Sequence, residues 1–361
     1  MDTVRDITAS SRARTALTLA LALLTLGGVM AMILLAGGYA PRGAAAALWN
    51  GSLGSWYSIT SATLVRAVPL MLTGCAVAVA FRAGVFNVGA EGQLLVGAAA
   101  AAAVALSAPR AGAFAMVAAL VAGSVAGCAW AAIAAWLRAR FGVLEVISTI
   151  MLNFVALHGV SYLVRGPLQE PTRVYPQSSA IDSAVQLGRI AGAGRLHVGL
   201  IIALAILITC GWAFRHSAFG FRLRAAGESP SAAASAGLID VRSTTMKAFL
   251  LSGALAGLAG AIEVLGVTYA LYENISPGYG YTAIAVGLIA RLDPWRIIFS
   301  GIAFAALEAG ASAMQRDAGI PSAFVSIIEA LLILGAIAVQ ALQRRARDSG
   351  FHTSAGIVTA E

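Results

Sequence analysis

The sequence predicts an all-α polytopic membrane protein with about 8–10 transmembrane helices and two broken or re-entrant segments. Three observations predict it. Hydrophobic residues make up 59% of the 361 and charged residues only 11%, against roughly 25% charged in a soluble globular domain. The apolar residues fall in runs of about 20, the length that crosses a hydrocarbon core at 1.5 Å per residue. Two of these runs are interrupted by Gly, Pro, Asn and Glu where apolar helix would otherwise continue.

Taken in order, the spans lie at about 16–37, 60–80, 93–108, 112–137, 143–164, 197–214, 246–268, 281–291, 296–314 and 321–342. The first run, Ala16–Ala36, follows Arg12 and Arg14 and exceeds the roughly 7–15 apolar residues of a cleaved signal peptide, so it reads as a retained anchor. Small-xxx-small pairs at Gly123/Gly127 and Gly253/Gly257 suit close helix crossings. The whole of 1–361 reads as one transmembrane domain with no appended soluble module. The first break is FRAGVFNVGAEGQ (Phe81–Gln93) and the second ISPGYGYTAIAVGLIARL (Ile275–Leu292). Unwound backbone at membrane depth survives only where it is buried in protein or lines a cavity. A pair of such segments in the two halves points to a transport pathway.

Charge orients the chain. Arg5, Arg12 and Arg14 at one end and Arg344, Arg345 and Arg347 at the other place both termini in the cytoplasm. The loop at about 215–245, with Arg215, Arg222, Arg224 and Arg242 against Glu228 and Asp240, joins them there, and the loop at about 165–196 falls outside. That outer loop carries Arg165, Arg173, Arg189 and Arg195 against the rule, and the other loops outvote it. The formal charge of +8 comes from arginines scattered between apolar runs, with Lys247 the one lysine, and forms no basic block of the kind that binds nucleic acid.

Ionisable residues within spans single out Glu91, Glu263, Glu308 and Glu329. Glu91, beside Asn87 and Gln93, either lines the pathway or fixes the broken backbone. The other three glutamates are expected to pair with polar groups on neighbouring helices. Tyr279 and Tyr281 either stack on a flat solute or anchor at the interface. His158 reads as a packed, hydrogen-bonded histidine, and Cys75, Cys128 and Cys210 as small buried residues far from one another. No catalytic residue and no metal site is proposed: there is no phosphate loop, G-x-S-x-G or H-E-x-x-H motif. Within FGFRLRAAGESPSAAASAGLID (Phe219–Asp240), Ser229 and Pro230 start a short helix that Gly237 stops. Its small residues suit a groove on another protein.

Three stretches together resemble the permease subunits of bacterial nucleoside ABC importers, in the ribose and branched-chain amino acid permease superfamily: Ala67–Gln93, EVISTIMLNFVAL (Glu145–Leu157) and Glu273–Pro294. The resemblance implies a type II ABC importer-like permease of the bacterial inner (plasma) membrane. It also implies a coupling helix, with Gly227, Glu228, Pro230, Ala234 and Gly237 docking on a cytoplasmic ABC ATPase. The further implied partners are membrane lipid, a second permease subunit, identical or homologous, and an extracytoplasmic solute-binding protein. The chain itself would bind no cofactor, ATP and Mg being held by the ATPase. Nucleosides are the expected solutes. Simple sugars such as ribose, or ion-coupled secondary transport, are the alternatives.

Overall fold

The structure, a computed structural model, describes residues 24–25, 27–192, 194–237, 239–321, and 324, 327, 330, 331, 334 and 335. The start of the first expected span, most of the last, Glu329 and the arginines of both termini lie outside these residues. Among the described residues all regular structure is helical, apart from three isolated bridges.

Among the described residues, seven helices are long and apolar enough to cross a membrane, or up to eight if one bent pair is a single span. That pair is α1 (Gly27–Ala36) and α2 (Pro41–Ser52), set at 117°. They belong to a first compact unit, Met1–Ser52 with Leu307–Glu361, whose core holds Leu34, Ala44, Ala47, Ala311, Met314 and Ile320. The spacing of apolar runs did not predict α2. Its sequence, PRGAAAALWNGS, is helical because Pro41 sits where no N–H is required and four alanines follow.

The second unit, Leu53–Ala306, contains both breaks. Its helices are α3 (Trp56–Arg82), α4 (Ala90–Ser107), α5 (Ala113–Phe141), α6 (Glu145–Arg165) and α7 (Gly199–His216). There follow α8 (Ala218–Glu228), α9 (Pro230–Ser235), α10 (Val241–Thr268) and α11 (Tyr279–Ile289). The first part of α12 (Pro294–Asp317) completes the unit. Most of α3, α4 and α10 is buried, whereas α5, α6 and α7 expose most of their surface. The predicted span at 281–291 is the 11-residue α11. At about 16 Å it covers only half a hydrocarbon core, so the extended stretch before it makes the other half of the crossing.

The two glycine pairs prove to be opposite sides of one contact. A Cβ on Gly257 would collide with the Gly123 carbonyl oxygen and lie 2.8 Å from Gly127 Cα, and Gly253 meets the Gly127 carbonyl in the same way. Backbone-to-backbone approach of α5 and α10 is what bare glycine permits, and in lipid such packing holds helices together.

One end of this unit gathers the α3 C-terminus, the α5–α6 turn and α8. Arg82 lies 4.8 Å over the Phe214 ring, Arg242 donates to the Ala139 carbonyl (3.3 Å), and Arg215 pairs with Asp293 (2.9 Å). The opposite end carries the 166–198 loop. Its backbone donates from Leu187 to Leu265 O, from Ile181 to Tyr269 O and from Ser178 to Leu271 O, at 2.8–2.9 Å. These bonds occupy carbonyls in and beyond the π-helical turn Val264–Thr268 that ends α10.

Candidate functional site

Both breaks are built by the same need. A chain that leaves the helix inside a bilayer exposes N–H and C=O groups that lipid cannot satisfy. In the first break, residues 83–89, side chains supply the partners. Asn87 accepts from the Gly89 N–H (2.9 Å), and its amide exchanges hydrogen bonds with that of Gln93 (2.9 and 3.1 Å). Its Nδ2 also donates to Ser252 Oγ of α10 (2.8 Å). Asn153 of α6 accepts from the Gly92 N–H (2.9 Å) and donates to Val88 O (3.0 Å) and Tyr281 Oη (3.3 Å). In the second break, Ser276 Oγ accepts from the N–H groups of Gly278 and Tyr279, both at 3.1 Å.

The breaks enter from opposite ends and meet. The first starts at the α8 end, where α3 stops, and the second at the loop end, where α10 stops. Their helices α4 and α11 begin against each other. Gly280 packs so closely on Ala90 and Glu91 that a Cβ there would overlap the Glu91 backbone nitrogen. The Glu91 carboxyl accepts from the Gly280 N–H at 2.7 Å. Two helix N-termini, each equivalent to roughly +0.5 charge, thus converge on one acidic side chain. Asn153, bonded to Gly92, lies near the middle of α6, so the meeting point is at mid-depth in the bundle.

Of the residues expected to line a pathway, Asn87, Glu91, Gln93 and Tyr279 are buried in this junction, and Tyr281 alone is exposed, at 47%. Asn153, Ser252 and Ser276, which complete the junction, were not singled out by the sequence. Their signal was only that of polar residues inside apolar runs. His158 corrects its sequence reading. It is exposed on α6 and makes no hydrogen bond or ion pair among the described residues, because α6 packs through Glu145, Thr149, Asn153, Ala156, Val160 and Val164 on another side. Cys75 is buried as expected, while Cys128 and Cys210 are only half-buried, and Cys75 and Cys210, far apart in sequence, are neighbours on α3 and α7.

At the α8 end, Gly227 rests on the first break. A Cβ on it would strike the Arg82 carbonyl oxygen, and Gly84, at φ +73°, faces Gly227 Cα. Glu228, Pro230, Ala234 and Gly237 are exposed, and Gly237, at φ +69°, follows the last turn of α9. Ser229 occupies the N-cap position of α9, but its side chain makes no capping hydrogen bond. Beside α9 a cleft of about 470 Å³ opens between Gly84, Arg138, Pro230, Arg242 and Phe249.

Electrostatics at the loop end are local. The Arg165 guanidinium (2.8 Å) and the Ser161 hydroxyl (2.6 Å) both donate to the Glu273 carboxyl. His197 is buried over Gly266 with Nδ1 accepting from the Gly199 N–H (3.1 Å), and burial, with Arg195 nearby, lowers its pKa to about 4.

Residues 59–337 match the family described as branched-chain amino acid transport system / permease component. The chain belongs to this permease family. It is 38% identical to the guanosine ABC transporter permease NupP of Bacillus subtilis, over 84% of this chain and 88% of that one. It is 36% identical to the glucose ABC transporter permease TsgB13 of Haloferax volcanii, over 90% and 87% of the two chains. The nucleoside ABC transporter permease NupB of Lactococcus lactis is 33% identical, over 84% and 85%. No solved structure matches. The permease is thus a multi-pass membrane protein of the ABC transport type, and the junction of its two breaks lies wholly within the matched residues.

Proposed function

We propose that this permease is the membrane subunit of an ATP-driven nucleoside importer of a bacterial inner membrane. It works with a cytoplasmic ATPase, a second permease subunit and an extracytoplasmic solute-binding protein. The observation that carries the reading is the contact of Gly227 with Arg82 and Gly84. It seats the exposed α8–α9 corner directly on one of the two breaks, where a push from a docked ATPase would reach the junction. Under the positive-inside rule the α8 end is cytoplasmic and the 166–198 loop is outside. ATP and Mg belong to the ATPase, and this chain supplies the pathway.

Likeness to NupP and NupB supports nucleosides as solutes. Simple sugars are a second reading, favoured by the 36% identity to TsgB13. Uptake of radiolabelled guanosine, uridine, glucose and ribose by cells carrying the whole transporter separates them. Nucleoside uptake abolished by depleting ATP and resistant to a protonophore is the expected result. Protonophore-sensitive uptake by the lone permease would replace the importer with a secondary transporter, and saturable glucose uptake alone would replace the solute.

A further inference from the structure

The exposed faces of three peripheral helices differ in kind. On α5 the exposed residues from Ala113 to Trp136 are Phe114, Val117, Val121, Val125, Ile133 and Trp136 with two alanines, and on α7 none is ionisable before Arg215. Those are surfaces for acyl chains. The exposed residues of α6 start the same way, with Ile147, Met151, Phe154 and Val155, and then change to His158, Gly159, Tyr162 and Arg165. His158 lies about 7 Å along the helix beyond Asn153 and about 10 Å short of Arg165, well inside the span. An ionisable residue at that depth faces protein or water, not lipid.

The chain across from this half of α6 is the second break. Glu273 binds Arg165 and Ser161 at its outer end, and Tyr281 binds Asn153 at its inner end. Along the helix axis His158 lies between those two contacts, on the exposed side that carries Tyr162 and Arg165. The polar wall therefore runs from the loop end down to the junction and stops there, where Phe154, Met151 and Ile147 take over.

We propose that the outer half of α6 and the Glu273–Tyr281 stretch line a water-filled vestibule, and that His158 contacts the solute within it. This rests on the nucleoside reading above. The imidazole offers one donor and one acceptor, and Tyr162 and Tyr281 offer exposed ring faces. That combination suits a neutral, flat, polar heterocycle such as a nucleobase.

The test places a cysteine at 158 in an active background without the three native cysteines and uses right-side-out vesicles carrying the whole transporter. A membrane-impermeant methanethiosulfonate is expected to label His158→Cys, and saturating guanosine to slow labelling. In the parent, His158→Ala is expected to raise the half-saturating guanosine concentration roughly three- to tenfold, with His158→Asn recovering part of it. Reaction with a lipid-soluble maleimide but not with the impermeant reagent would put the face against lipid and overturn the proposal. Inertness to both reagents would put it inside a protein interface and overturn it equally. Labelling slowed by glucose but not by guanosine would keep His158 in the vestibule while removing the nucleoside reading.

Discussion

Replacing Asn153 by Ala tests whether side chains hold the break in place. The substitution leaves the Gly92 N–H and the Val88 carbonyl without the partners that sit at 2.9 and 3.0 Å, and removes a weaker 3.3 Å contact to Tyr281. Each orphaned buried backbone group costs about 1–3 kcal/mol. Side-chain hydrogen bonds between membrane helices, by contrast, average only about 0.6 kcal/mol, because the separated helices find other partners. The backbone groups of 88 and 92 have no such freedom, since the break fixes where they point. The larger figure should win, giving a loss of about 3 kcal/mol. Unfolding in mixed micelles, followed by a thiol-reactive dye that reads exposure of the buried Cys75, measures it. Ser148→Ala is the control. Ser148 shares the buried side of α6 but bonds only carbonyls of its own helix, Glu145 O at 3.1 Å and Leu144 O at 3.5 Å, so its loss should stay under about 0.5 kcal/mol. Equal losses for the two variants would refute the reasoning that the break depends on Asn153.

Gly227→Val drives two methyl groups into the Arg82 carbonyl and displaces α8 from the break, so uptake should fall at least tenfold while the protein still reaches the membrane, as read by uptake against immunoblot. Gly257→Leu must separate α5 from α10 and should abolish folded protein altogether, seen as loss of the monodisperse peak on size exclusion. His197 is held neutral in the folded protein, with a pKa of about 4 against an ordinary 6.5. The unfolded chain therefore binds the extra proton across that window, and stability should be full above pH 6.5 and decline by about 3 kcal/mol toward pH 4. His197→Gln should flatten that decline in a thermal-unfolding series against pH.

How far the sequence reached depended on whether a signal was local. Interruption of an apolar run is local, so both breaks were legible from Gly84, Asn87, Pro277 and Gly278. The start of α9 was legible from Pro230 for the same reason. What the sequence could not give was which side of a helix faces protein. On a helix that is apolar all round, lipid and protein interior select the same residues, and no amphipathic stripe marks the buried face. His158 was misread for that reason, since nothing around it in sequence separates the buried Asn153 face from the exposed one. Cys75 and Cys210 are far apart in the sequence and come together only through the packing of α3 on α7. In α8 the bounds came from Ser217, whose hydroxyl accepts from the Gly220 N–H (3.1 Å), a capping signal inside a stretch read only as loop.

The two breaks have opposite entrances and a common centre, and this gives the molecule an unbroken line of backbone contacts. Gly227 touches Arg82 and Gly84 at one end, and Gly280 touches Ala90 and Glu91 at the centre. At the other end the 166–198 loop is bonded to Leu265, Tyr269 and Leu271, at the start of the second break. Contiguity of this kind is necessary for coupling between the two ends but does not itself establish it; a two-state element is also required. The junction supplies the candidate. It joins the 11-residue half-crossing α11 to the N-terminus of the 18-residue span α4 through one carboxyl and close-packed glycine, so sliding α11 against α4 disturbs few bonds. The long helices around it, locked by the Gly123/Gly127 and Gly253/Gly257 crossing, would have to break backbone packing to do the same. Motion is therefore cheapest at Glu91–Gly280, where the polar wall of α6 also ends.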